Sequence, residues 1–242
     1  MLVNVRPRQK SGDVRMRMLG TDCLFVPLNG TIVSTPEAMV ACVNTLVNHR
    51  FIPLIDTYLP TELIATAIGP APIVAADARN DLRAVGYAIE LGFDAIMFGW
   101  DNPDDIRVFA KACREANVYG IIRFVDPGAL ELFFEIESPT ALAAHLAPKN
   151  FEVLSDYVAE YQKCVESDSR IVVVDSTVAN GFEWQRMIRH GHGRGRGFGL
   201  LPGLVFSDVF DGVAPNDTEA IKSAIAGARR RFVPYSGFEP AG

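Results

Sequence analysis

Short apolar runs alternate with amphipathic stretches along the first half of this chain, and most of the runs end in an acid. Cys23 to Leu28, Phe51 to Ile55, Pro72 to Ala76 and Asp94 to Trp100 each read as a strand with no wet face, and Asp56, Asp77 and Asp101 stand just past the last three. Between the runs, apolar residues recur at helical spacing. Met39, Val43, Leu46 and Val47 follow Thr35-Pro36, a short helix starts at Pro60, Leu82, Val85 and Ile89 form one face, and Ile106, Phe109, Ala110 and Cys113 follow Asn102-Pro103. Thr35 and Asn102 are capping residue types, proline suits a first helical position, and Asp104 and Asp105 favour the positive end of a helix. Strands apolar on both faces, each followed by a helix, predict a parallel sheet covered by helices.

The pattern changes at Val118 to Val125. VYGIIRFV predicts a fifth strand, but Asp126-Pro127-Gly128 follows at once, and Leu130, Leu132, Phe134 and Ile136 alternate with Glu131, Phe133, Glu135 and Glu137. That alternation predicts an antiparallel hairpin near 118–137; a short helix from Leu130 to Phe134 is the alternative that keeps the repeat regular. Ser138-Pro139 predicts a helix to His145, and Phe151 to Val165 a longer one. Arg170 to Val174 is a strand ending at Asp175, Leu200 to Phe206 is a strand interrupted by Pro202 and Gly203, and Asn216 is a cap for a final helix carrying Ile221 and Ile225. At the start, LVNVR and VRMRML flank Ser11-Gly12-Asp13 and predict a surface hairpin. The organisation expected is an N-terminal extension over 1–20, one α/β domain over 21–233 and a loose tail over 234–242. The architecture expected is a (β/α)8 TIM-barrel-like fold, made irregular by the hairpin. The alternative is an open doubly wound mixed sheet, where an antiparallel pair sits more easily.

Composition narrows the class further. A chain of 242 residues, 49% hydrophobic and 21% charged, fits one α/β domain. Its apolar runs are broken well before the roughly 18 residues of a membrane span, and MLVNVRPRQK lacks the apolar core of a signal peptide, so a cytoplasmic protein without a membrane partner is expected. Cys23, Cys42, Cys113 and Cys164 form no CxxC pair and fall mostly on apolar helical faces, which predicts buried reduced thiols. A net charge of -6 argues against general nucleic-acid binding. Residues 92–124, GFDAIMFGWDNPDDIRVFAKACREANVYGIIRF, resemble the strand-helix-strand units of phosphate-binding TIM barrels, such as phosphoribosyl-transfer and aldol-type enzymes. The resemblance implies the fold and transfers no catalytic residue.

Candidate chemistry begins with a local inversion of charge. Arg186 to Gly199, RMIRHGHGRGRGFG, alternates glycines with arginines and histidines, and no carboxylate occurs from Trp184 to Ser207. Glycines let backbone N–H groups turn toward a ligand and arginine forks match phosphate or carboxylate oxygens, so Gly193, Arg194, Gly195, Arg196 and Gly197 are a candidate anion site. His190 or His192 would move a proton there, or ligate zinc as an HxH pair. A solvated loop and an RNA-binding arginine-glycine box are the competing readings of the same residues.

A barrel would gather Asp56, Asp77, Asp101, Asp126, Asp175 and Asp208 on one rim, although aspartate after a strand is also the commonest helix cap. Arg123 interrupts an apolar run and needs a partner, most simply Glu135 or Glu137; in a functional role it holds a substrate carboxylate. Asp77, two residues before Arg79, is open to both readings too. Lys10, Lys111, Lys149, Lys163 and Lys222 fall in the hairpin, on helices or in a helix-helix linker, which sets a Schiff-base lysine aside. A divalent metal, Mg or Mn, held by Glu135, Glu137 and Asp175 is then one way to polarise a carbonyl. Together these features predict a lyase or isomerase acting on a small anionic substrate, phosphorylated or carboxylated. Its base or acid would come from Asp77, Asp175, His190 or His192, with Arg123 as anion partner, and the protein would be a homo-oligomer. The alternative function is a non-catalytic oligomeric structural or binding protein whose Gly/Arg stretch docks a partner or RNA.

Overall fold

Eight parallel strands follow one another around a closed barrel in chain order. They are β1 (Leu24–Leu28), β2 (Ile52–Asp56), β3 (Ala75–Asp77), β4 (Ala95–Gly99), β5 (Tyr119–Phe124), β6 (Leu142–Leu146), β7 (Ile171–Asp175) and β8 (Leu201–Val205). The computed structural model describes residues 24–99, 102–124, 142–146, 171–175 and 201–231, with Phe124, β6, β7, residues 201–204 and Arg231 described by their backbone. The described helices are α1 (Pro36–Asn48), α2 (Thr61–Ile68), α3 (Leu82–Leu91), α4 (Pro103–Ala116) and α5 (Thr218–Arg231). No described helix is long and apolar enough to cross a membrane.

The period of two along each strand sorts residues into two cores. Phe25, Ile52, Leu54, Ile73, Ala75, Ala95, Met97, Tyr119, Ile121 and Val205 fill the barrel interior. The intervening positions, among them Val26, Ile55, Ala76, Phe98 and Ile122, pack outward against Met39, Ile64, Val85, Phe109 and Ile225 of the helices. Phe98 stacks on Phe109 with ring centroids 4.9 Å apart. Both faces of the strands are therefore buried, as the unbroken apolar runs imply.

Local signals set the helix ends. Thr35 accepts from the Ala38 N–H, Asp81 from Arg83 and Asn102 from Asp104, and proline occupies the first turn of α1 and α4. Gly92 ends α3 at φ 84° and Asn117 ends α4 at φ 55°, the left-handed conformation that closes a helix. Cys42 and Cys113 are free and buried; burial pushes the Cys42 thiol up to about 12 and raises Cys113 further. Cys23 and Cys164 lie outside the described residues.

Four readings of the sequence are corrected. The sheet is closed, which removes the open doubly wound alternative. Leu142–Leu146, expected to end a helix at His145, is strand β6, paired in parallel with β5 from Gly120↔Leu142 to Phe124↔Leu146. Five residues with two alanines carry too little periodicity to tell a strand from a helix turn, and closure of the barrel decides the matter. Both neighbours of β5 are parallel, so no antiparallel pair enters the barrel; the chain between Phe124 and Leu142 exceeds the dozen or so residues a parallel crossover needs. The Leu130 to Glu137 segment itself lies outside the described residues.

The fourth correction concerns Asn216. The cap of α5 is Asp217, whose carboxylate accepts from the Ala220 N–H at 3.0 Å. Asn216, at φ 59°, instead fastens the two ends of the barrel together. Its Oδ1 accepts from the Ser34 N–H at 2.8 Å, its Nδ2 donates to Ser34 Oγ at 2.7 Å, and its N–H donates to the Ile32 carbonyl at 2.9 Å. These bonds lie beside the closing ladder, where Leu24 pairs with Leu204 and Phe25 with Val205. That ladder begins past Pro202 and Gly203, which therefore do not interrupt it. Phe51 meets Phe206 edge-on at 5.3 Å on the same seam.

Asn216→Ala removes both side-chain bonds and leaves a Cβ-bearing residue at positive φ. We expect a loss of about 1–2 kcal/mol, a melting shift of roughly 2–8 °C. Asn216→Gly, free of the φ penalty, should lose less. Equal melting points for all three proteins would show that the seam does not depend on these bonds.

Candidate functional site at the barrel mouth

The last inward position of each strand lies where the packed interior ends. On β2, β3, β4 and β5 those positions are Asp56, Asp77, Gly99 and Arg123, in the alternating series that includes Leu54, Ala75, Met97 and Ile121 below them. Charge thus follows apolar residues along the same face of each strand, at the C-terminal end where barrels of this kind carry their sites.

Asp56 and Asp77 are register partners and are built alike. Each ends its strand by accepting, through Oδ1, the N–H two residues on: Tyr58 for Asp56 and Arg79 for Asp77, both at 3.0 Å. Each then offers Oδ2 to a guanidinium. Arg79 reaches Asp56 at 2.7 Å, and Arg123 reaches Asp77 at 3.2 Å while also standing 3.0 Å from Met97 Sδ. The Thr57 N–H and hydroxyl both donate to the Asp77 carbonyl, at 3.2 and 2.9 Å, joining the loops after β2 and β3.

The two ion pairs differ in setting. Arg79 is 56% exposed and lies over the Tyr58 ring at 4.7 Å, so its pair is solvent-screened and contributes about 0–1 kcal/mol. Arg123 and Asp77 are 27% and 21% exposed, which makes theirs the inner pair. Around the rim, the Tyr58 hydroxyl donates to Asp81 at 3.0 Å. That bond raises the Tyr58 pKa, while the Arg83 N–H and then the Tyr58 hydroxyl lower that of Asp81.

Backbone geometry supports the rim. Arg79 holds φ 53°, a left-handed conformation that side chains disfavour, and its carbonyl accepts from the Gly99 N–H. A Cβ at Gly99 would stand 2.9 Å from that carbonyl oxygen. Glycine at the end of β4 therefore lets the Arg79 turn close over the strand.

The structure brings together Asp56, Asp77 and Arg123 from the expected set, with Arg79. Among the described residues Arg123 finds a carboxylate on β3, because inward positions on β3 and β5 face one another past β4 and a long side chain spans the gap; its expected partners Glu135 and Glu137 lie outside them. Asp175 closes β7 at the same end, in register with Val205. Asp208 follows β8 within a turn. Asp101, Asp126, Glu135, Glu137, His190, His192, Gly193, Arg194, Gly195, Arg196 and Gly197 lie outside the described residues, as does the side chain of Asp175. Among the described residues no group of three or more His, Cys, Asp or Glu is placed to hold a metal ion.

Two residues change standing with β6. His145, expected on a helix, is the register partner of Arg123 on one side and of Val173 on the other. The only sequence signal for it is a histidine in a short apolar run. Lys149, placed by the pattern between two helices, follows the end of β6 by three residues, so the ground for setting a Schiff-base lysine aside does not hold there.

A closed parallel barrel with ionised groups at its C-terminal mouth defines a TIM-barrel fold. Solved structures of that type resemble this chain. A tryptophan synthase chain from M. tuberculosis is 13% identical with a TM-score of 0.64, covering 94% of this chain and 99% of its own. The 4-hydroxy-2-oxoglutarate aldolase/2-deydro-3-deoxyphosphogluconate aldolase from TTHB1 is 14% identical with a TM-score of 0.58, covering 93% and 100%. A protein described as native KDPGal is 15% identical with a TM-score of 0.59, covering 86% and 94%. No protein-family model and no curated protein matches the sequence. At these identities the likeness establishes the fold alone.

Gly99→Ala should push the Arg79 turn off β4 and destabilise by about 1–3 kcal/mol, read by denaturant unfolding. An unchanged midpoint would mean the approach is not tight. The rim also predicts a pH dependence. The folded Asp81 pKa lies below its unfolded value of about 3.9, so its stabilisation is full above that value and is lost as pH falls through the folded pKa. The melting-point gap between the native protein and Asp81→Ala should be widest near neutrality and close in acid, and Tyr58→Phe should narrow it. A gap independent of pH would remove the carboxylate from the explanation.

Proposed function

We propose that this protein is a TIM-barrel enzyme of lyase or isomerase type acting on a small phosphorylated or carboxylated metabolite bound at the mouth. The observation that carries this reading is the inner pair, Arg123 with Asp77, held partly open to solvent at the end of an apolar barrel. An arginine fork is suited to a carboxylate or phosphate, and an incoming anion competes with Asp77 for it. Asp77, released from Arg123 but still held through Oδ1, becomes the proton acceptor. In a retro-aldol cleavage it takes the proton of the hydroxyl group, the carbon-carbon bond breaks, and the electron pair passes to the carbonyl oxygen of the departing enolate. Arg123 offsets that negative charge. The aldolases and the tryptophan synthase among the similar structures support the lyase assignment by analogy of fold.

In this reading Asp175, with Glu135 and Glu137, is where a Mg or Mn ion would be held. The Gly193 to Gly197 stretch with Arg194 and Arg196 is a second anion site, with His190 or His192 moving a proton. That stretch precedes Leu201, where β8 enters the barrel at the end opposite the mouth, by eight residues or fewer. The mouth is therefore the first site to test.

Thermal melts with millimolar phosphate, pyrophosphate or pyruvate distinguish the sites. Ligand at about a hundred times its dissociation constant stabilises by roughly 2.7 kcal/mol, a shift of several degrees. We expect a shift in the native protein that is lost in Arg123→Gln and kept in the double variant Arg194→Ala, Arg196→Ala. Loss only in the double variant would move the anion site to the Gly/Arg stretch. No shift in any protein would favour the non-catalytic oligomeric reading. Melts with added Mg or Mn, and with a chelator, test the metal.

A further inference from the structure

His145 is the one histidine that the fold carries onto a barrel strand; His190 and His192 fall in the connection between β7 and β8, and His49 ends α1. Its register partner on β5 is Arg123, and adjacent parallel strands lie about 4.8 Å apart. Register also fixes its series. Ile121 and Arg123 alternate with outward residues on β5, Ile121 pairs with Ala143, and His145 is two residues beyond Ala143. His145 pairs with Val173, and Asp175 is two residues beyond Val173 in register with Val205, a residue of the interior cluster. Arg123, His145 and Asp175 therefore occupy interior register positions on three consecutive strands, near the C-terminal end of each.

We propose that His145, at the register position next to Arg123, is a catalytic residue of the mouth that transfers a proton to or from the anion bound there. The inference rests on the functional reading above and adds to it the acid that a single aspartate base lacks. After Asp77 has taken a proton and the bond has broken, the enolate must be protonated at carbon or oxygen. Histidine titrates near neutrality and can deliver that proton, then regain it from water. Among the described residues, the charged groups near its register position are Arg123 on β5 and Asp175 on β7, with Asp56 on β2, Asp77 on β3 and Arg79 in the loop after β3. A guanidinium near an imidazole disfavours its charged form and a carboxylate favours it.

The test is a histidine titration by NMR on the full chain, with the His145 resonance assigned by His145→Gln or, should that variant not fold, by elimination with His49→Gln, His190→Gln and His192→Gln. Arg123→Gln should raise the His145 pKa by roughly one unit and Asp175→Asn should lower it. A His145 that responds to neither change is not in the mouth, which overturns the proposal whether or not any anion binds. Phosphate forms the second arm. Its binding in the native protein should tighten as pH falls through the His145 pKa, and His145→Gln should lose that added tightening while retaining the weaker binding of the high-pH form, which Arg123→Gln removes. An unchanged pH dependence in His145→Gln overturns the proposal and leaves the anion site standing. A His145 coupled to Arg123 in a protein that binds no phosphate would instead retain the juxtaposition and overturn both the proton-transfer role and the anion reading.

Discussion

Closing eight parallel strands into a ring imposes one constraint from which the other features follow: every second residue of every strand faces the axis. Along that series the interior must be apolar until the strands end, because a buried charge without partners is expensive. The first position where a charge can be placed is the last inward residue, and the described strands use it so. Asp56, Asp77 and Arg123 are at or next to the ends of β2, β3 and β5, and each is continuous with apolar interior residues one step below. The mouth is polar because the barrel is dry beneath it.

What the charges do there depends on how each carboxylate divides its oxygens. Asp56 and Asp77 each spend one oxygen on their own turn, which fixes the side chain relative to its strand, and leave the other for an arginine. The device needs both the turn and a close approach by the next strand. At Arg79 it is bought with a left-handed backbone residue, and at Gly99 with the absence of a side chain. Local strain at the rim is held in place by contacts from three successive strands, which is where such strain is expected when geometry matters more than stability.

Much of this was legible in the chain. Strands apolar on both faces, with capped helices between them, specify a parallel α/β fold before any tertiary information, and Thr35, Asn102 and Pro103 take the roles their types suggest. Asp56 and Asp77 could be placed on a rim for the same reason. The pairing of Arg123 with Asp77 could not, because that carboxylate is 46 residues away in sequence and only the barrel brings the two strands within reach. His145 was hidden by length: LAAHL has no period that five residues can display, and the proline before it favours a helix start as readily as a strand. Asn216 was misread because asparagine before an acidic helix start is a capping signal, whereas here the neighbouring aspartate caps and the asparagine bridges the seam. The Gly/Arg stretch is conspicuous in composition, but composition says nothing of which end of the barrel it serves.

The charge count at the mouth bears on its chemistry. Among the described side chains there, Asp56 and Asp77 are matched one to one by Arg79 and Arg123, in a protein whose net charge is -6. A matched pair holds its own ions well and a foreign anion poorly, since each anion that displaces Asp77 from Arg123 leaves one negative charge uncompensated. The imbalance is resolved by adding a proton or a cation as the anion arrives. A titratable group next to Arg123 does this without a permanent positive charge, which would repel Arg123 when the site is empty. Histidine, at the register position beside that arginine, is the residue type that can take up such a proton as the anion arrives. The same proton is the one the products of a lyase or isomerase step need, so in this mouth binding the anion and supplying the acid become one event.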